Sequence, residues 1–211
     1  MIIDKQIIRD WDVYYEDDIE LIETSELNHW YEENLGYQPY RLYEYLTNQY
    51  QDINILDIGT EYGFSAVSFA KNRSNKVDTW DLHRYSTFEI LRHKYDNITP
   101  YTSDVSVGLG KYHPEYYKFV LIDVDPHNGV QELELYNILK ESYKGFVLLD
   151  DIKLNTDMYN FWNNIEEEKY DLTFQVQLPD EWDTSLAKIN VGVTALVETD
   201  KCTHEWVDKC N

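Results

Sequence analysis

Positive charge is scarce in this chain. Its 211 residues carry 18 Lys and Arg against 40 Asp and Glu, a formal net charge of −22. So acidic a surface repels phosphate backbones, and nucleic acid is not an expected partner without a local basic patch. None is visible: the densest positive stretch, residues 84–94, sets Arg84, Arg92, His93 and Lys94 beside Glu89. Cysteine is nearly missing as well. Cys202 and Cys210 are the two present, which excludes a disulfide framework and suits a reducing, cytoplasmic setting. His204 stands between them, but three ligands in a tail are a weak zinc signal. No apolar run approaches the roughly 20 residues of a membrane span. The opening MIIDKQIIRDWD also lacks the basic start and apolar middle of a signal peptide. No membrane partner is expected. There is no internal repeat, no low-complexity tract and no linker rich in Pro, Gly or Ser.

What is present is aromatic. With 19 Tyr, 7 Phe and 6 Trp, and 43% hydrophobic residues overall, the chain has the apolar area that acidic disordered tails lack. Its length suits one domain with a sizeable core. Residues 1–50 read as a helical extension packed on that core, residues 51–200 as the main domain, and residues 201–211 as a tail. Within the extension, residues 39–50 put Leu42, Tyr45 and Leu46 on one helical face. Trp11, Tyr14, Tyr15, Trp30 and Tyr31 suit core or a homo-oligomer face ahead of a substrate lid.

From residue 51 onward the pattern alternates. Short apolar runs (INILDI, KVDTWDL, FVLIDV, GFVLLD) suit strands buried on both faces. Between them lie helical spacings: Val130, Leu133, Leu135, Ile138 and Leu139 before a stop at Gly145, then Leu154, Met158, Phe161, Trp162 and Ile165. Strand and helix repeated about five times predict a parallel sheet with helices on both faces. Two further strand-like stretches, about residues 172–178 and 188–197, have no helix between them and must form an antiparallel hairpin.

Open α/β sheets bind ligands beyond the carboxyl ends of their strands. The first strand runs into ILDIGTEYGFSA, where Gly59 permits a tight turn, Gly63 a close approach, and Ser65 opens a helix. This is neither G-x-G-x-x-G nor a phosphate-binding Walker loop. No Lys or Arg neutralises phosphate there, and Asp57 and Glu61 repel it; the alternative is an ordinary βα turn. The second strand ends at Asp81, placed to accept from ribose hydroxyls. The third leads to Asp104, either an acceptor for an adenine amine or a helix cap. The fourth ends in Asp123, Asp125 and His127, and the fifth in Asp150 and Asp151. Four carboxylates on adjacent strand ends raise one another's pKa values unless a divalent cation sits among them. Oxygen ligands favour magnesium, calcium or manganese; the alternative is that some of the four cap helices or face water.

These residues resemble the class I S-adenosylmethionine-dependent methyltransferases. ILDIGTEYGFSA looks like their first motif, and FVLIDVDPHNGVQELELYNILKESYKGFVLLDDI like their fourth strand through fifth, within a likeness spanning about residues 38–197. The pattern is that of metal-dependent small-molecule O-methyltransferases of the catechol and macrolide-sugar types. The resemblance implies a Rossmann-like, doubly wound, mostly parallel seven-stranded sheet ending in an antiparallel hairpin. It implies that Asp57, Gly59, Thr60, Gly63 and Ser65 surround the methionine half of S-adenosylmethionine, with Asp123 beside them. Asp81 would hold the ribose, Leu82 would pack on the adenine, and Asp104 would meet its amine. Asp123, Asp150 and Asp151 would hold a divalent cation, expected to be magnesium.

Asp125 matches the general base of the sugar-modifying members. Pro126 and His127 stand where the catechol group has a Lys, so a catechol is not implied and His127 is a rival base. The expectation is methyl transfer to a hydroxyl of a small molecule. The alternatives are a metal-independent N- or carboxyl-methyltransferase and a non-catalytic module that binds the cofactor or a nucleotide.

Overall fold

The structure, a computed structural model, describes residues 1–11, 39–85, 88–89, 92–106, 116–175, 188–195 and 207–208. Strand β1 (Ile2–Ile3) leads into helix α1 (Lys5–Asp10), whose start is set by Asp4 accepting from the amides of Gln6 and Ile7. Helix α2 (Tyr40–Thr47) buries Leu42, Tyr45 and Leu46, as their spacing predicts, together with Tyr43. Trp11 packs edge-on against Tyr45. Tyr14, Tyr15, Trp30 and Tyr31 lie outside the described residues, as do Cys202, His204 and Cys210.

The apolar runs become parallel strands β2 (Asn54–Ile58), β3 (Lys76–Asp81), β5 (Phe119–Ile122) and β6 (Phe146–Leu149), and the less apolar β4 (Ile98–Thr102) pairs in parallel beside β3. Helix α3 (Phe64–Ala70) follows β2, α4 (Val130–Ser142) follows β5, and α5 (Thr156–Asn164) follows β6. In β5 and β6 the side chains divide by parity. Phe119, Leu121, Phe146 and Leu148 join one core with α2 and α3. Val120, Ile122, Val147 and Leu149 join a second core with α4 and α5. That two-faced burial explains the unbroken apolar runs.

The terminal strands are β7 (Lys169–Asp171), β8 (Phe174–Gln175), β9 (Lys188–Ile189) and β10 (Gly192–Ala195). The sheet order is β4-β3-β2-β5-β6-β10-β7, seven strands with β10 antiparallel to both β6 and β7. The antiparallel pairing agrees with expectation, but its limits do not. The first strand starts at Lys169 rather than near 172, and it breaks after Asp171, whose carboxylate takes the amide of Thr173. Beyond the break β8 and β9 form a separate two-stranded sheet. Residues 176–178 and 196–197 of the expected strands lie outside the described residues. A last strand, β11 (Val207–Asp208), pairs in parallel with β1.

Helix α4 ends at Ser142, shortly before Gly145 as expected, with Tyr143 already extended. Helix α5 starts after Asn155, whose side chain accepts from the amide of Met158, and not at Leu154. Among the described residues no helix is long and apolar enough to cross a membrane.

Candidate functional site

Asp57 sits opposite Thr79 in the β2–β3 register. One carboxylate oxygen accepts from Thr79 Oγ1 at 2.7 Å and from Ser65 Oγ at 3.1 Å. Asp57 is fully buried, and burial pushes its pKa up to about 7 against those two hydrogen bonds, with the charge of Asp81 adding to the rise. Thr60 bonds Thr79 hydroxyl to hydroxyl. Asp57, Thr60 and Ser65 therefore brace the loop from behind, buried in its wall, and Gly63 starts α3 in the left-handed conformation. The loop offers the cleft its backbone and the side chain of Glu61.

Gly59 marks the closest approach of two strand ends. Its φ is +102°, and a Cβ there would lie 1.5 Å from the carbonyl oxygen of Asp123. The turn after β2 is thereby seated on the end of β5, where the amide of Asp123 donates to the carbonyl of Ile58.

These ends open on a cleft of about 620 Å³. Asp81 lies in it, accepting the amides of Glu61 and His83 at 2.8 Å each; each oxygen keeps a lone pair for a ligand. Leu82, 65% exposed, lines the cleft beside Trp80, which stacks on Tyr101. Asp104 also lines it while one of its oxygens takes the amide and hydroxyl of Ser106. Of the two roles weighed for Asp104 the cap is present, and its second oxygen lies in the cleft wall.

The acidic ends of β5 and β6 meet differently from expectation. Asp123, His127 and Asp151 each bring a ligand atom within 4.8 Å of the others. Asp150 is not among them. It continues the face of Phe146 and Leu148 toward α2, where its Oδ2 accepts from the Tyr43 hydroxyl at 2.8 Å. Its Oδ1 accepts the amide of Asp151. Burial, with the charge of Asp151, pushes Asp150 to about 7. Asp123 is pushed well above the usual carboxylate range by burial first, then by Asp150 and Asp151. His127 takes the place given to Asp150: its Nε2 lies 3.5 Å from Asp125 and 3.8 Å from Asp151. The Asp125 side chain is 93% exposed to the cleft mouth.

Two carboxylates and an imidazole fit a divalent cation, whose charge would relieve the repulsion on Asp123. The imidazole widens the fitting ions beyond magnesium to manganese, iron or zinc. The cleft as a whole fits a cationic ligand. Seven carboxylates line it (Glu61, Asp81, Asp104, Asp123, Asp125, Glu134 and Asp151), and no Lys or Arg does among the described residues.

Sequence reasoning missed three participants. Tyr43 carries no local signal, because its partner is 107 positions away. Glu61 reads only as a phosphate-repelling charge, although its amide fixes Asp81. Glu132 carries no motif or spacing that marks it, yet it is buried beside His127.

No protein-family model matches the chain, and no curated protein sequence does. Solved structures do. An O-methyltransferase from Bacillus cereus, in complex with S-adenosylhomocysteine, is similar over 92% of this chain and 96% of its own, at 16% identity and a TM-score of 0.60. TomG from Streptomyces achromogenes, an O-methyltransferase of tomaymycin synthesis in complex with S-adenosylmethionine, is similar over 74% of this chain and 78% of its own. Its identity is 13% and its TM-score 0.57. The precorrin-6y C5,15-methyltransferase from Geobacter metallireducens covers 74% of this chain and 87% of its own, at 11% identity and a TM-score of 0.56. The chain has the Rossmann-like fold that these methyltransferases share.

Proposed function

We propose that this chain, built on the class I methyltransferase fold, transfers a methyl group from S-adenosylmethionine to a hydroxyl of a small molecule. One observation carries the reading: a strand-end cleft on this fold is lined by seven carboxylates and by no Lys or Arg among the described residues. A cofactor bearing phosphates is disfavoured there. One bearing a sulfonium and an ammonium is favoured.

Asp81 accepts from the ribose hydroxyls, Leu82 covers the adenine, and Asp104 offers its second oxygen to the adenine amine. The β2–α3 loop gives the methionine half its backbone, held rigid by Asp57, Thr60 and Ser65. Methyl transfer is an in-line displacement that neutralises the sulfonium, so placement and a deprotonated acceptor matter most. Asp125, exposed at the cleft mouth, takes the acceptor's proton. His127 lies beside Asp125 and serves the cation cluster instead. A divalent cation held by Asp123, His127 and Asp151, with magnesium the expected ion, would lower the pKa of the bound hydroxyl.

Calorimetry against S-adenosylmethionine, S-adenosylhomocysteine and NAD tests the cofactor. Binding of the first two and not the third is expected; binding of NAD alone overturns the reading. Methyl transfer to polyhydroxylated small molecules, assayed with and without chelator, tests the cation. Turnover should fall on chelation, and Asp151→Asn should lose the response to added ion while keeping its affinity for S-adenosylhomocysteine. Equal turnover in excess chelator removes the cation from the reading.

A further inference from the structure

Glu132 is the third residue of α4 and is 1% exposed, yet neither oxygen of its carboxylate has a hydrogen-bond partner. A buried acid in that state calls for a reason. The amides of Gly129 and of Glu132 itself lie close enough to act on its charge, as at any helix start, but not in hydrogen-bonding geometry. The other group acting on it is His127, whose Nδ1 lies 4.0 Å from Oε1. The opposite ring nitrogen, Nε2, faces Asp125 and Asp151. His127 is thus oriented by its surroundings: one nitrogen toward a buried carboxylate under α4, the other toward the cleft.

We propose that Glu132 is a positioning residue that accepts a hydrogen bond from Nδ1–H of His127, fixing the tautomer whose bare Nε2 is presented to the cleft. The 4.0 Å separation closes to bonding distance with a side-chain shift of about 1 Å. With the proton on Nδ1, Nε2 keeps its lone pair for a cation shared with Asp123 and Asp151. On Nε2 the proton would instead be donated to Asp125 or Asp151, leaving no donor atom for the ion and leaving Glu132 unanswered. A carboxylate behind a ligating histidine sets ring orientation and basicity in this way. The inference rests on the cation reading of the Asp123–His127–Asp151 cluster, but its central claim concerns the protein with no ion bound.

The test is nitrogen NMR of the histidine rings in ¹⁵N-labelled, metal-free protein at a pH where the imidazoles are neutral. The His127 signal is assigned by its loss in His127→Gln. Wild type should show protonated Nδ1 and bare Nε2. Glu132→Gln, which keeps an acceptor and spares the fold, should retain part of that preference, and Glu132→Ala should lose it. A plain helix-start role for Glu132 would lower helix stability and leave the ring signals unmoved. Wild-type protonation at Nε2, or an unchanged tautomer in both variants, overturns the proposal. Mn²⁺ binding followed by electron paramagnetic resonance forms the second arm, with affinity expected to fall roughly 10- to 100-fold in Glu132→Ala. Wild-type protein that takes no Mn²⁺ overturns the cation reading, while the ring signals still decide the role of Glu132.

Discussion

The hydroxyl of Tyr43 donates a 2.8 Å hydrogen bond to Oδ2 of Asp150, tying the middle of α2 to the end of β6. Both residues are buried, and the other oxygen of Asp150 holds the amide of Asp151. A helix before the sheet thus helps to place a carboxylate of the Asp123–His127–Asp151 group, two bonds removed. Tyr43→Phe leaves that buried oxygen without its donor, which costs about 1–3 kcal/mol. Urea unfolding should show the loss as a lower midpoint at unchanged slope. Cation affinity should fall with it, because the support of Asp151 is loosened.

Asp57 and Asp150 set an unusual pH dependence for the ion-free protein. Each has a folded pKa raised from 3.8 to about 7. Between those values the folded chain holds protons that the unfolded chain has released, so stability is full below about pH 4 for these groups and declines until about pH 7. The melting temperature of ion-free protein should therefore drop as pH rises through that window, with Asp57→Asn flattening its share of the slope. A melting temperature that climbs steadily from pH 4 to 7 in both proteins would contradict the burial assigned to these groups.

Gly59→Ala is expected to be severe. The added methyl group would sit 1.5 Å from the Asp123 carbonyl at a φ of +102°, so the turn after β2 and the end of β5 must separate. The cost lies at the upper end of the roughly 1–3 kcal/mol typical of overpacking. Binding of S-adenosylhomocysteine should weaken beyond what the stability loss explains. Calorimetry well below the melting temperature separates the two effects.

Asp81 and Asp125 should divide binding from turnover. Asp81→Ala removes a charged acceptor from the cofactor side, worth about 1.5–3 kcal/mol, or roughly 10- to 100-fold in the Kd for S-adenosylhomocysteine. Asp125→Ala should leave that Kd nearly unchanged and lower kcat by about 10²–10⁴. Equal effects of both variants on Kd would place Asp125 with the cofactor.

The parallel strands were legible because β5 and β6 are covered on both faces, which writes them as unbroken apolar runs ended by acids, and β2 repeats the pattern interrupted by Asp57. The ends of β3 and β4 followed from the same rule, and Asp81 and Asp104 do line the cleft. Two adjacent acids gave no such certainty. Asp150 and Asp151 lie in the turn after β6, where Asp151 takes a left-handed φ of +53°, and that turn sends one side chain to the core and the other to the cleft. The phenol that receives Asp150 belongs to a helix far away in sequence. His127 stood two residues past Asp125, and only the turn it occupies decides which way its ring faces. The start of β7 at Lys169 was missed because Lys169–Asp171 carries no apolar run to mark it as a strand.

Glu61 holds a φ of +42°, a conformation that costs a side-chain-bearing residue about 1 kcal/mol relative to glycine. It is also the residue whose amide fixes Asp81 and whose carboxylate faces the cleft. Selection for thermal stability alone would push this position toward glycine. Selection for the cleft would hold the acid in place. A library screened only for heat resistance should drift at residue 61, and its most robust members should be those with the least shaped cleft. The loop marks a position where durability and recognition compete for the same residue.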